Sequence, residues 1–272
     1  MDDSDIIDTL KAMKRQDEVF YATTKGLYED ATRAIDADSR LTMVEWCKRI
    51  ADFGEYSHDT VSIAINALDR YVEKKPEILD DTQQFQLFTL TCLYTAIKVH
   101  EAVVLTPEMM SRLSKEVFSE KAIEQAESEL LETIDWRMNP PTPHAFCDSY
   151  LALLISHYSD SCSVVLRELV HFQIDYVLGD ADFVGTHASD VAFAAICNAC
   201  KLAEPHLYNE AKKLICNATG SEVISIYLTT KLYNQLMKLD IRPRPVLSRR
   251  SSSKRQFSHS TSESPRGIAD CR

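Results

Sequence analysis

The sequence predicts an all-α protein made of two tandem five-helix units, and three observations carry that prediction. Only six of its 272 residues are glycine, too few for the turns of a sandwich, a barrel or a doubly wound sheet. Apolar residues recur at helical spacing from end to end, and no stretch alternates as a strand would. Three prolines in the run "NPPTPH" then forbid helix and form a stiff connector, after which the same cycle of helices starts again.

Taken in order, residues 1–36 form an N-terminal helical segment, with one or two charged amphipathic helices over about 5–35. Residues 37–139 form the first unit. Its first helix, in "SRLTMVEWCKRIADF", sets Leu41, Val44, Cys47 and Ala51 on one stripe, with Trp46 and Phe53 beside it. Its second sets Val61, Ala64, Ile65, Leu68, Tyr71 and Val72 on a 3.6-residue period, with Ser57 and Asp59 as N-terminal acceptors and Lys74, Lys75 and Pro76 closing it. The third opens on a capping-box pattern, Asp81 with Gln84. It is apolar nearly all round from Phe85 to Ile97, so other helices must surround it. A fourth begins with Thr106 as N-cap and Pro107 at the first helical position. The fifth carries Ile123, Ala126, Leu130 and Ile134 on one face. The second unit, 144–240, repeats the scheme with helices at about 144–157, 163–178, 188–202, 207–217 and 221–239. Its central "ASDVAFAAICNACKLA" matches the buried third helix of the first unit in rank and in small-residue content. Residues 241–272 lack a core-forming pattern and read as a disordered tail rich in serine and basic residues.

Composition narrows the function. The net charge of −11 is uneven: the last 32 residues carry +6, leaving −17 on the rest. An acidic body lacks the basic face that general nucleic-acid binding requires. No apolar run is long enough to span a membrane, and the acidic start is unlike a signal peptide. The eight cysteines sit mostly in helical apolar patterns, as reduced small hydrophobes do inside cells. The Cys197/Cys200 pair has no second pair or ligand-spaced histidines to make a zinc site. The sequon at Asn217 matters only in a secreted protein. His144, His157, His171, His187 and His206 follow no ligand spacing, and no phosphate loop or nucleophile motif is present. No metal and no cofactor are expected, and a binding or regulatory module is favoured over an enzyme.

Arg40, Glu45 and Trp46 in "SRLTMVEW", Asp69 and Arg70 in "ALDRYV", Lys98 and Glu101 in "AIKVHEA", and Glu127 in "AESELLETIDWRM" occur in an order and spacing that resembles the cyclin box. The resemblance is specific over about Arg40–Tyr150. It implies two tandem cyclin folds and a non-catalytic partner of a cyclin-dependent protein kinase, acting as a heterodimer in cell-cycle control. In the family, the residues at the positions of Lys98 and Glu127 face the kinase and bind main-chain groups around its C-helix. A lysine offers three donors and a glutamate several acceptors for such groups. Fixing that helix matters because its glutamate pairs the kinase's ATP-binding lysine, so binding shifts the kinase toward its active arrangement. The family's apolar rim falls on Thr95, Val99, Leu131, Trp136 and Met138. Arg40, Asp69 and Arg70 read as structural ion-pairing residues, with Arg40–Asp69 or Arg40 with another internal acid as the pair.

The resemblance also implies a docking patch for substrate or inhibitor peptides at Met43, Trp46, Phe85 and Gln86. Ser39 and Thr42 replace larger apolar residues there, and Arg49 stands where an acid usually meets the peptide's arginine, so the usual motif fits poorly. The lack of a KEN box points weakly to a G1-like or divergent member over a mitotic one. In the tail, Ser251 and Ser252 in "RRSSSKR" and Ser264 in "SESPR" are expected phosphorylation sites, and the basic run is compatible with nuclear as well as cytoplasmic residence. The alternative reading is a cyclin-fold transcription-associated factor or adaptor.

Overall fold

Thirteen consecutive residues, Phe85 to Ile97, are buried in one helix, α4, and the first half of the protein is organised around it. The computed structural model describes residues 2–157, 163–220 and 226–238. The predicted disordered tail, with Ser251, Ser252 and Ser264, lies outside them. The described residues hold eleven α-helices: α1 Asp3–Gln16, α2 Ala37–Gly54, α3 His58–Lys74, α4 Thr82–His100, α5 Pro107–Leu113, α6 Glu120–Thr133, α7 Pro143–His157, α8 Ser163–Gly179, α9 Ala188–Ala203, α10 Tyr208–Thr219 and α11 Ile226–Lys238. No described helix is long and apolar enough to cross a membrane.

Local chemistry sets the starts. Asp36, Ser57, Asp81, Thr106 and Ser119 each accept a hydrogen bond from a backbone amide of the following first turn, satisfying donors the helix itself cannot. Inside α4, the hydroxyls of Thr89, Thr91 and Thr95 donate to the carbonyls of Phe85, Leu87 and Thr91 at 2.8, 2.8 and 2.9 Å. Polar side chains thus sit in an apolar surround with their donors satisfied. Tyr71 stacks on Phe88 at 4.2 Å and ties α3 to α4.

The second half repeats the plan around α9, buried from Ser189 to Cys200 except at Asp190. Its core takes in Ile6 and Leu10 of α1, so the N-terminal helix packs on the second fold and not on the first, which follows it in sequence. α1 runs on into a π-helical turn, Asp17–Tyr21, and no second α-helix follows before Ala37. The expectation of helix through residue 35 is therefore corrected: Gly26 takes a left-handed φ of 78° and the chain turns there. Asp17, at the end of this segment, accepts from the backbone amide of Ala188 at 3.1 Å and lies 3.2 Å from His187 Nδ1, capping α9. Burial raises the Asp17 carboxyl to about 6 against the opposing pull of His187. Gly185, with φ 77°, lets the loop before α9 touch this segment; a Cβ would lie 2.7 Å from the Thr23 carbonyl oxygen.

The stripe of α2 holds at Val44, Cys47 and Ala51 and differs at its edges. The buried positions are Arg40, Met43, Val44, Trp46, Cys47, Ile50 and Ala51, whereas Leu41 is 41% and Phe53 85% exposed. Arg40, a charged residue, faces inward where Leu41 was expected, because its partner is there.

Candidate functional site

That partner is Asp69 of α3. Arg40 donates through Nε and a terminal nitrogen to both Asp69 oxygens, at 3.0 and 2.8 Å, and Tyr28 donates its hydroxyl to the same carboxylate at 2.8 Å. The other terminal nitrogen donates to the Leu178 carbonyl at the end of α8 and so reaches the second fold. Burial alone would depress Arg40, but the Asp69 charge outweighs it and holds the guanidinium above its ordinary value. Next in sequence, Arg70 donates to the carbonyls of Arg137 and Ile134 at 2.7 and 2.9 Å, and Lys74 donates to Thr133 at 2.6 Å. Two cations at the end of α3 thus satisfy carbonyls left open where α6 stops. This anchors a bend in which Asp135 and Trp136 both take left-handed φ, 57° and 59°. Bulky residues rarely occupy that region, and the Arg70 and Lys74 contacts hold the chain there.

The bend presents Trp136 outward, 70% exposed. Elsewhere on the first fold, α4 and α6 bring Lys98 and Glu127 together, although they are 29 residues apart. Lys98 Nζ lies 3.2 and 3.1 Å from the two Glu127 oxygens. The lysine side chain is 51% exposed and the glutamate 13%. Lys98 also lies over the Tyr94 ring at 5.5 Å. Burial pushes Lys98 down, but its hydrogen bond and charge contact with Glu127 win and raise it above the ordinary lysine value. Tyr94 was not among the residues the sequence singled out; its position four before Lys98 on the same helix face was the available signal.

The apolar rim is mixed. Val99 is 56% exposed and Leu131 partly buried. Thr95 and Met138 correct the expectation of a rim residue, since both are buried. The Thr95 hydroxyl back-bonds within α4 and sits 3.4 Å from Glu127 Oε1, so it lies beneath the pair. The Met138 carbonyl accepts from His100 Nε2 at 2.7 Å, drawing that residue under the end of α4. Met43, Trp46, Phe85 and Gln86 are all buried, whereas Arg49 is exposed. Cys197 and Cys200 are both buried in α9, and among the described residues no group of His, Cys, Asp or Glu is arranged to hold a metal ion.

A cation beside a largely buried carboxylate, with an exposed valine next to it in sequence, can meet backbone donors and acceptors of another molecule. The comparisons agree in kind. The cyclin N-terminal domain family matches residues 7–139 and the cyclin C-terminal domain family residues 141–264. G1/S-specific cyclin-D1 of Rattus norvegicus is 21% identical over 234 residues, 85% of this chain and 72% of that protein. Cyclin-D3-3 of Arabidopsis thaliana is 31% identical over 106 residues, 39% of this chain and 29% of that protein. The fold is similar to that of a viral cyclin from herpesvirus saimiri, with a TM-score of 0.66 at 14% identity over 86% of this chain and 97% of that one. With two family domains matched in tandem on two helical folds, this chain belongs to the cyclin family.

Proposed function

We propose that this protein is a non-catalytic regulatory subunit that binds and activates a cyclin-dependent protein kinase, acting as a G1-type cyclin in the cell cycle. The observation that carries the reading is the Lys98–Glu127 pair, held 3.1 Å apart with Val99 exposed next to Lys98 in sequence and Trp136 exposed at the bend after α6. An exposed tryptophan and valine on the fold that carries a pair with spare donors and acceptors match the composition of a protein interface centre. The G1/S-specific name of the rat relative supports the cell-cycle part of the reading. The pair offers its free donors and acceptors to the kinase C-helix backbone, and Trp136 anchors the contact. The test is a pull-down from a panel of cyclin-dependent kinases with wild type, Lys98→Glu and Glu127→Lys. A kinase retained and activated by wild type and lost by both variants supports the reading; equal recovery and equal activity with all three refutes it.

A further inference from the structure

The seam between the two folds carries three histidines and three carboxylates that the partner reading does not use. His58 opens α3; its Nε2 lies 2.9 Å from Asp52 Oδ1 of α2, and its Nδ1 lies 3.0 Å from Asp175 Oδ2 of α8. A neutral imidazole has one N–H, so it can serve only one of these carboxylates while turning a lone pair toward the other. With both contacts at hydrogen-bond distance, only the imidazolium can donate to both carboxylates. His144, in the first turn of α7, repeats the arrangement more loosely. Its Nδ1 is 3.5 Å from Asp59 Oδ1 and its Nε2 is 3.8 Å from Asp175 Oδ1. Asp175, from the second fold, thus faces a histidine with each oxygen. His171, one turn before Asp175, stands edge-on to His144 at 5.0 Å. Asp59 Oδ1, Asp175 Oδ1 and the Nε2 atoms of His144 and His171 are buried without a hydrogen-bond partner, which is costly and rare.

We propose that this cluster is a proton-operated clamp: with His58 protonated, the second fold is held on the first through Asp175, and loss of that proton loosens the seam. The surrounding charges leave this role to the histidines. From α2, Lys48 donates to the Asp175 carbonyl and pairs with Glu45. From the end of α4, Glu101 is engaged by Ser57 N and Thr60 Oγ1, and the charge of His100 acts on Asp59. Arg167 of α8 and Asp148 of α7 pair with each other beside His171.

The sign follows from two opposite shifts. Burial opposes the charge on His58, but Asp52 and Asp175 outweigh it and raise the group. Its stabilisation is therefore complete below the ordinary imidazole value of about 6.5 and is lost as pH rises through the folded value. Burial and the neighbouring His144 lower His171, so its cost appears only as pH falls below about 6.5. The alkaline side isolates His58.

This inference stands apart from the kinase reading and is tested on the full chain alone. Thermal melts from about pH 6.5 to 8.5 are compared for wild type and His58→Gln, with a parallel histidine-ring NMR titration of wild type. The expected result is a wild-type Tm that falls with rising pH and a His58→Gln Tm that has lost that slope. In the titration, the His58 ring should hold its proton above the ordinary imidazole value of about 6.5. Parallel melting curves, or a His58 ring titrating at or below that value, overturn the clamp. So does a zinc-dependent rise in Tm that is reversed by a chelator and independent of pH, since that would make the cluster a metal site. If a variant does not fold, the wild-type titration decides alone.

Discussion

Two ion pairs of nearly equal length lie in one fold. Arg40–Asp69 closes at 2.8 Å and Lys98–Glu127 at 3.1 Å. The first pair's side chains are 3% and 9% exposed, and the second pair's are 51% and 13%. In the first, the oxygens and donors are spent inside the molecule, on each other, on Tyr28 and on Leu178. In the second, the ammonium keeps donors facing solvent. Distance alone therefore says little about role; burial and residual hydrogen-bonding capacity separate a tie spent within the chain from a pair that another molecule could still meet.

The comparison breaks most visibly at Arg40. Arg40→Met leaves Asp69 buried and unpaired and is expected to cost about 3–5 kcal/mol of stability, read as a lower denaturant midpoint. By contrast, Lys98→Ala should cost under about 1 kcal/mol of stability, as exposed pairs do. The same change should weaken kinase binding by about 2–5 kcal/mol, the usual consequence of truncating a desolvated interfacial charge, measurable by calorimetric titration. Trp136→Gly sharpens the contrast because its two effects have opposite signs. Glycine accepts the left-handed φ of 59° and should leave stability unchanged or about 1 kcal/mol higher, while binding loses about 2 kcal/mol or more with the aromatic anchor. The smallest effect is Asp81→Ala at the start of α4, about 1 kcal/mol of stability from a lost cap; its binding affinity, measured on the folded fraction, should not move.

Much of this was legible in the sequence, for reasons that show in particular residues. α3 and α4 were readable because their apolar positions are dense and their caps are ordinary, at Ser57 and Asp81. Lys98 and Glu127 could be brought together only through the family resemblance, because periodicity fixes a helix face but not which helices meet. α2 was read correctly at Val44, Cys47 and Ala51 but not at Leu41 and Phe53, since an inward arginine does not count as apolar and an outward Phe53 does. The burial of Thr95 and Met138 was hidden for a related reason: threonine satisfies its hydroxyl within its own helix, and Met138 is drawn under α4 by a backbone carbonyl. The packing of α1 on the second fold, and the meeting of His58 with Asp175, depend on contacts between residues far apart in the chain, 117 positions for the histidine, beyond the reach of any local pattern.

The central claim is that Lys98 and Glu127 serve a partner and not their own fold, and one double exchange tests it. Affinity for the kinase that wild type retains is measured for Lys98→Glu, Glu127→Lys and the variant carrying both. The double variant restores an internal pair of reversed polarity but presents the wrong charges outward. Wild-type-like melting with binding still lost in the double variant is the expected result. Binding restored by the double exchange would mean that the pair acts only within the chain, and would contradict the account.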